Sequence, residues 1–263
     1  MDRPAFRPAC SARGNALPGR GGCQCGAGRG GRTGQRTRPA AQAGAADGRR
    51  DGERDSGRIR RGAGHPGAAA RPLRVIPGNH DEREAFRRAF HDHTWLPASG
   101  PLHYVDAASG PVRVIALDVT IPGLHHGEAD AAALAWLEAA LAEAPGRPTV
   151  VMMHQPPIEC GVPYLDRYRC HGEAALAALL GRYQAVERLL CGHVHRTMLR
   201  RFGGTLLCTA PSTATAIALR PRGDARPASH LEPPGFLLHQ WRPEGMLTHH
   251  LPIGDFPGPY PFA

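Results

Sequence analysis

Hydrophobic positions from residue 72 onward switch repeatedly between the two-residue period of a strand and the longer period of an amphipathic helix. Short apolar runs bounded by turn residues predict strands at 73–76, 112–117, 149–153, 187–190, 198–201, 205–209, 235–241 and 246–251. Stretches in which apolar residues recur every three or four positions predict helices at 82–90, 128–144 and 172–183.

The order of these elements predicts the fold class, which is α/β. Helices come early and strands cluster late. This order favours a mixed α/β sandwich with antiparallel strands near its end over a uniform doubly wound parallel sheet. The proline-rich segment 252–263 is expected to be a surface strap.

Residues 1–71 differ in composition from the rest of the chain. They hold 15 Arg against 5 acidic residues, a net charge of +10, whereas residues 72–263 hold 17 Arg against 18 acidic residues, a net charge of −1. Besides Met1, their only large apolar side chains are Phe6, Leu17 and Ile59, too few to offset the entropy of ordering the segment. We therefore predict a disordered or out-of-frame Arg/Gly/Ala-rich segment at 1–71 and a folded domain at 72–263.

Targeting signals and cysteines bear on the cellular compartment. The sequence has neither an apolar run long enough to cross a membrane nor an apolar leader, which favours a cytoplasmic protein without membrane contact. The 7 Cys, an odd number without framework spacing, are expected to be reduced thiols. Cys160 and Cys170 flank a polar loop and are expected to be free rather than bridged.

Metal-ligating and proton-transferring side chains concentrate in three segments that follow predicted strands, Gly78–Asp81, Met152–Gln155 and Gly192–His195. Loops that leave the same edge of an α/β sheet converge, and ligands bind there. Histidine binds metals through one neutral ring nitrogen, and a preceding glycine lets the backbone turn so that two nearby histidines face one site. The three segments therefore predict a metal site.

Each segment also has a structural interpretation. His193 and His195 occupy what could be a surface turn in a chain with 15 His, and Asn79 and His80 could be turn and helix-capping residues. His154 is the strongest signal, because it follows an apolar run and a strand seldom ends in a buried histidine that has no partner.

Taken together, the segments resemble a known family. Residues 75–81 (VIPGNHD), 151–157 (VMMHQPP) and 191–196 (CGHVHR) resemble signature blocks of the calcineurin-like metallophosphoesterases, and more narrowly of the bacterial class III cyclic-nucleotide phosphodiesterases. The similarity continues through 117–118, 123–128 and 136–137. It implies a four-layer α/β/β/α sandwich of two mixed sheets and a centre of two divalent metal ions of the Fe, Mn or Zn class.

The resemblance also implies a role for each matched residue. Asn79, His154 and His193 would ligate one metal ion, and His195 would ligate the other. His80 would be the general acid that protonates the leaving oxygen, while a hydroxide bridging the metals attacks phosphorus. Asp81 is assigned to the catalytic group as the carboxylate that orients His80; an acid favoured by the dipole at a helix N-terminus is the alternative.

Three further histidines, His125, His126 and His171, lie in predicted loops that could form the rim of a substrate site. Solvated loop histidines are the preferred interpretation.

Two further blocks of the family, an Asp-x-His and a Gly-Asp that supply most ligands of the first metal and the bridging carboxylate, do not occur in residues 1–71. When each codon is read from its second base, residues 7–10 are compatible with Asp-Leu-His, and residues 47–51 with Thr-Gly-Asp-Val. We therefore expect that residues 2–71 are an out-of-frame translation, that the phosphoesterase domain is incomplete with ligands for about half of its metal centre, and that the chain's own activity is impaired.

The leading functional hypothesis is metal-dependent hydrolysis of a small phosphodiester, foremost a 3',5'-cyclic nucleotide such as cAMP. One alternative is an inactive phosphoesterase remnant. Another is a protein that binds RNA or another polyanion through its Arg-rich arm, although the lack of interleaved aromatic residues argues against stacking on bases and makes nucleic acid an unexpected partner. The sequence does not indicate an oligomeric state.

Overall fold

The computed structural model describes residues 73–262. In this range there are four helices, α1 (Arg83–Ala89), α2 (Ala131–Ala142), α3 (Pro163–Asp166) and α4 (Glu173–Leu180). The strands of the same range are β1 (Tyr104–Asp106), β2 (Arg113–Ala116), β3 (Gly127–Glu128), β4 (Thr149–Met153), β5 (Cys170–His171), β6 (Val186–Cys191), β7 (Met198–Phe202), β8 (Thr205–Thr209), β9 (Ala216–Ile217), β10 (Ser229–His230), β11 (Gly235–Arg242) and β12 (Gly245–Pro252).

A six-stranded mixed sheet with the order β1-β2-β4-β6-β8-β7 organises the described chain. The four inner strands are parallel, and β1 and β7 close the two edges in antiparallel orientation. Strand β4 is buried at every position, as expected for a central parallel strand that is covered on both faces. The α/β fold class and the mixed sheet are confirmed.

Helices α2 and α4 cover one face of the sheet. Helix α2 buries Ala133, Leu137, Ala140 and Leu141, which share one side because they recur at helical spacing. Together with the leucines of α4 they pack on the sheet in the main hydrophobic core. The carboxylate of Asp130 caps α2 by accepting a hydrogen bond of 2.7 Å from the Ala133 amide.

The β11/β12 hairpin covers the opposite face. Leu189 of β6 belongs to the helix-side core, so its neighbour Arg188 projects to the other side of the sheet. There the Arg188 guanidinium donates hydrogen bonds to the carbonyl of Met246 and the hydroxyl of Thr248. In the described residues, helices, mixed sheet and antiparallel hairpin thus form three successive layers, and the second mixed sheet and fourth layer of the implied sandwich stay a prediction.

Most predicted elements occur within a few residues of their predicted bounds, and the strands at 149–153 and 205–209 match them. The strand predicted at 73–76 is wrong: the Val75 carbonyl accepts a hydrogen bond of 2.9 Å from the Tyr104 hydroxyl, and the segment is not part of a strand. The helix predicted from residue 128 begins at Ala131, because Glu128 pairs with β5 and Asp130 is the cap.

Several expectations concern the periphery of the fold. Residues 252–262 are exposed, as expected of a surface strap. The four cysteines of the described range, Cys160, Cys170, Cys191 and Cys208, are free thiols. None of the helices between residues 73 and 262 is long and apolar enough to span a membrane. The Arg-rich segment 1–71, its out-of-frame interpretation and its RNA-binding alternative lie outside the described residues.

Candidate metal centre

Three loops bring the predicted site residues together at the carboxyl edge of the sheet. His154 follows β4, while His193 and His195 follow β6. Since β4 and β6 are adjacent and parallel, their outgoing loops meet. The turn before α1 adds Asn79 from a third direction.

The side-chain oxygen of Asn79 is the point at which these loops converge. It lies 3.0 Å from His154 Nε2 and 3.3 Å from His193 Nδ1. The two imidazole rings are edge-to-face with centroids 5.3 Å apart. Three of the four predicted metal ligands therefore direct donor atoms to one small volume.

The absence of a side chain at Gly78 permits this convergence. An added Cβ atom would lie 2.9 Å from His154 Cε1 and 3.0 Å from His154 Nε2, which is closer than atoms pack. The Asp81 carboxylate accepts a hydrogen bond of 2.7 Å from the Gly78 amide and closes the turn that carries Asn79. Asp81 thus lies beside the site, whereas the N-cap of α1 is Glu82.

His195, the fourth predicted ligand, belongs to the same loop as His193. Both residues have left-handed backbone conformations, with φ values of 63° for His193 and 55° for His195. The His195 Nδ1–H group donates a hydrogen bond of 3.0 Å to the Thr215 carbonyl. This bond places the proton on Nδ1 and leaves the Nε2 lone pair as the ligating one.

Burial keeps His154 and His193 neutral. It lowers the pKa of His154 well below its usual value, with smaller contributions from the neighbouring His193 and His195. The pKa of His193 is lowered to about 4, mainly by burial and further by His195 and His80. A neutral imidazole is the form that binds metals, so both rings are ready to ligate at neutral pH.

The donor set fits one half of a two-metal centre. His193 Nε2 is buried and has no hydrogen-bond partner, whereas Nδ1 of the same ring faces the Asn79 oxygen, so either nitrogen of this ring could take a metal ion. The donors suit Fe, Mn or Zn, but all of them are neutral. Among residues 73–262 no group of three His, Cys, Asp or Glu side chains is arranged to hold a metal ion; the third donor here is the Asn79 amide oxygen.

His80, the predicted acid, is exposed and lines a cavity of about 320 Å³ that is also lined by the four predicted metal ligands. Its ring centroid lies 5.3 Å from that of His125. His125 accepts a hydrogen bond of 3.2 Å from the Asn79 side-chain amide. The preferred interpretation of His125 as an ordinary loop histidine is therefore corrected: it is exposed, but it belongs to the rim of the site.

His126 and His171 behave differently from His125. Their rings pair edge-to-face at 5.1 Å beside the short β3/β5 ladder. They are not among the cavity-lining residues of the described range.

Sequence reasoning missed part of the cavity lining. Its conspicuous members are two aromatic and three basic side chains: Tyr164, Tyr168, Arg220, Arg222 and Arg226. They come from segments with neither a strong period nor a motif. Only the density of arginines at 220–226 could have indicated a binding surface.

Comparison with known proteins identifies the family. A family model described as calcineurin-like phosphoesterase matches residues 55–197. The chain belongs to the calcineurin-like phosphoesterase family, whose members use dinuclear metal centres.

Individual relatives include two named phosphodiesterases. A protein of Arcobacter nitrofigilis named probable glycerophosphodiester phosphodiesterase GpdQ is 38% identical over 193 residues, which cover 73% of this chain and 70% of that one. The 3',5'-cyclic adenosine monophosphate phosphodiesterase CpdA of Escherichia coli is 33% identical over 142 residues, covering 54% of this chain and 50% of that one. A solved dimetal phosphatase from Danio rerio overlaps with a TM-score of 0.41 at 14% identity, over 53% of this chain and 60% of that one.

Proposed function

We propose that this domain hydrolyses small phosphodiesters, foremost 3',5'-cyclic nucleotides, at a metal centre ligated by Asn79, His154, His193 and His195. The observation that carries the proposal is the convergence of His154 and His193 on the Asn79 oxygen, at 3.0 and 3.3 Å. Divalent cations held there would polarise the phosphoryl oxygens of the substrate as Lewis acids.

The protein's own groups have separate tasks in this proposal. His80 lines the same cavity as the ligands and gives a proton to the leaving oxygen. Asp81 acts as a positioning residue, because its carboxylate fixes the turn that presents Asn79 and His80. The buried rings of His154 and His193 stay neutral and therefore available as ligands.

The names of the two relatives both support a phosphodiester as the substrate, but they indicate different alcohol groups on the phosphate. The CpdA relative is named for cyclic AMP, and the GpdQ relative for glycerophosphodiesters. The chain spans 70% of the first relative and half of the second. A glycerophosphodiester is therefore the second candidate substrate, because the GpdQ relative has a higher sequence identity to this chain than the CpdA relative has.

The neutral donor set limits the activity of the chain as it stands. Two dications a few ångströms apart repel each other and require anionic ligands between them. Asn79, His154, His193 and His195 supply none. We therefore propose that the printed chain is impaired and that the missing carboxylates are encoded in the alternative frame of residues 2–71.

Hydrolysis of bis(p-nitrophenyl) phosphate and of cAMP with added Mn²⁺ tests the proposal. The printed chain is expected to show negligible turnover and a frame-restored chain clear turnover, which His154→Ala abolishes. His91→Ala is the matched control, because His91 is an exposed histidine beyond the end of α1. If the restored chain is inactive, the remnant interpretation replaces this function; robust turnover by the printed chain would show that the ligands have been misplaced.

A further inference from the structure

Two chemically different groups of side chains line the cavity beside the candidate metal centre. One group comprises the proposed ligands and His80, and the other comprises Tyr164 and Tyr168. Its volume of about 320 Å³ suits a ligand the size of a mononucleotide. A substrate whose phosphate is held by the proposed ligands therefore has the tyrosines within the same cavity as a surface for its organic part.

A row of aromatic rings connects His80 to Tyr164. The His125 ring lies 5.3 Å from His80 and 5.7 Å from Tyr168. Tyr168 in turn packs edge-to-face on Tyr164 at 5.5 Å. Tyr164 remains 38% exposed, so aromatic surface is left for a ligand.

The tyrosines are fixed relative to the metal ligands. Val162 and Leu165 flank Tyr164 and pack on Val194 in a small buried cluster. Val194 lies between the ligands His193 and His195. The Arg167 guanidinium lies 5.2 Å from the centre of the Tyr164 ring and 5.9 Å from that of Tyr168, which restrains both rings. This wall is consequently pre-organised.

The remaining side of the cavity is basic. Arg220, Arg222 and Arg226 line it, and Asp224 pairs with Arg222. This side is tied to the ligand loop, because Arg196 donates a hydrogen bond of 2.8 Å to the Ile217 carbonyl. The positive charge of these arginines favours any anionic substrate, so it does not discriminate between phosphodiesters that differ in their alcohol group.

We propose that Tyr164 and Tyr168 form a nucleobase subsite and select nucleotide phosphodiesters over glycerophosphodiesters. A base stacks on aromatic side chains and gains affinity for each stacked ring, whereas a glycerol group has no flat surface to offer. The subsite rests on the proposed function for the position of the phosphate. It goes beyond that function in naming the residues that distinguish the two candidate substrates.

Binding of three probes to the full chain, in the presence of Mn²⁺ and followed by ligand-observed NMR, tests the subsite. The probes are 5'-AMP, ribose 5-phosphate, which lacks the base, and adenosine, which lacks the phosphate. 5'-AMP is expected to bind about tenfold more tightly than ribose 5-phosphate. Tyr164→Leu and Tyr168→Leu should remove most of this advantage and leave the affinity for ribose 5-phosphate unchanged.

Two further variants separate stacking from structural damage. Tyr168→Phe keeps the ring and should retain the preference for 5'-AMP. Tyr260→Leu removes an exposed tyrosine of the C-terminal strap that does not line the cavity, and should behave as the unmodified chain.

The outcomes distinguish the subsite from the proposed function. Equal affinities of the unmodified chain for 5'-AMP and ribose 5-phosphate would overturn the subsite and leave phosphoester hydrolysis standing. Adenosine binding that depends on Tyr164, without binding of ribose 5-phosphate, would support the subsite and agree with the impaired metal centre proposed above. Failure of all three probes to bind, adenosine included, would overturn the subsite.

Discussion

The guanidinium of Arg83 donates a hydrogen bond of 2.8 Å to the carboxylate of Asp118, whose side chain is 0% exposed. Arg83 is the first residue of α1, and Asp118 follows β2. The same carboxylate accepts hydrogen bonds from the amides of Leu102 and Thr120. This buried pair connects the sheet to the segment that presents Asn79 and His80.

Replacement of Arg83 by Met is expected to lower the free energy of unfolding by about 3 kcal/mol, because it leaves the Asp118 charge buried without its partner. Urea denaturation measures this change. The matched control is Arg182→Met, which removes an exposed pair with Glu138 and should cost less than about 1 kcal/mol. Equal losses in the two variants would contradict the importance of burial here.

Gly78→Ala is expected to weaken Zn²⁺ binding about tenfold or more, because the added methyl group displaces the His154 ring. Isothermal titration calorimetry measures the affinity, and thermal melting shows whether the fold persists. Gly146→Ala is the control, since nothing lies within 4 Å of an added Cβ there. Unchanged affinity in the Gly78 variant would show that His154 is not a ligand.

Acid should destabilise the fold through His239. Burial, and secondarily Arg188, lowers the pKa of His239 to about 4, from 6.5 in the unfolded chain. The unfolded state therefore takes up a proton first, so the stability is intact above pH 6.5 and falls progressively as the pH drops towards 4. His239→Gln should flatten the dependence of the unfolding free energy on pH in this window; an unchanged slope would refute the assignment.

The gene sequence tests the interpretation of residues 1–71. Its second reading frame is expected to encode Asp-Leu-His opposite residues 7–10 and Gly-Asp opposite residues 48–49. An uninterrupted gene whose alternative frame cannot encode these motifs would remove the frameshift. The assay described above, with and without the restored frame, then measures its effect on turnover.

The sequence predicted those helices and strands whose own apolar residues form a recognisable local pattern. The buried run at 149–153 and the spaced leucines of α4 indicate a strand and a helix because their own side chains fill the core. Val75 and Ile76 have the same apolar character without forming a strand, since strand formation requires a neighbour as well as a pattern. Short ladders such as β3/β5 depend on tertiary pairing and left no signal.

The site was predictable where chemistry is concentrated in motifs. Asn79, His154 and His193 do converge, although their roles remain predictions. His125 reaches the cavity from a loop and Tyr164 from the four-residue helix α3, and the positions of both are set by contacts distant in sequence. Gln155, for example, is buried and donates a hydrogen bond of 3.1 Å to the His125 carbonyl.

The left-handed backbone conformation of His193 and His195 lowers the stability of the fold at two proposed metal ligands. A side chain in this conformation costs about 1 kcal/mol or more relative to glycine, which adopts it freely. His195→Gly should therefore raise the melting temperature slightly while it removes a proposed ligand. A library of variants selected for heat resistance alone would be expected to drift towards glycine here, and would lose the capacity to bind metal before it lost its shape.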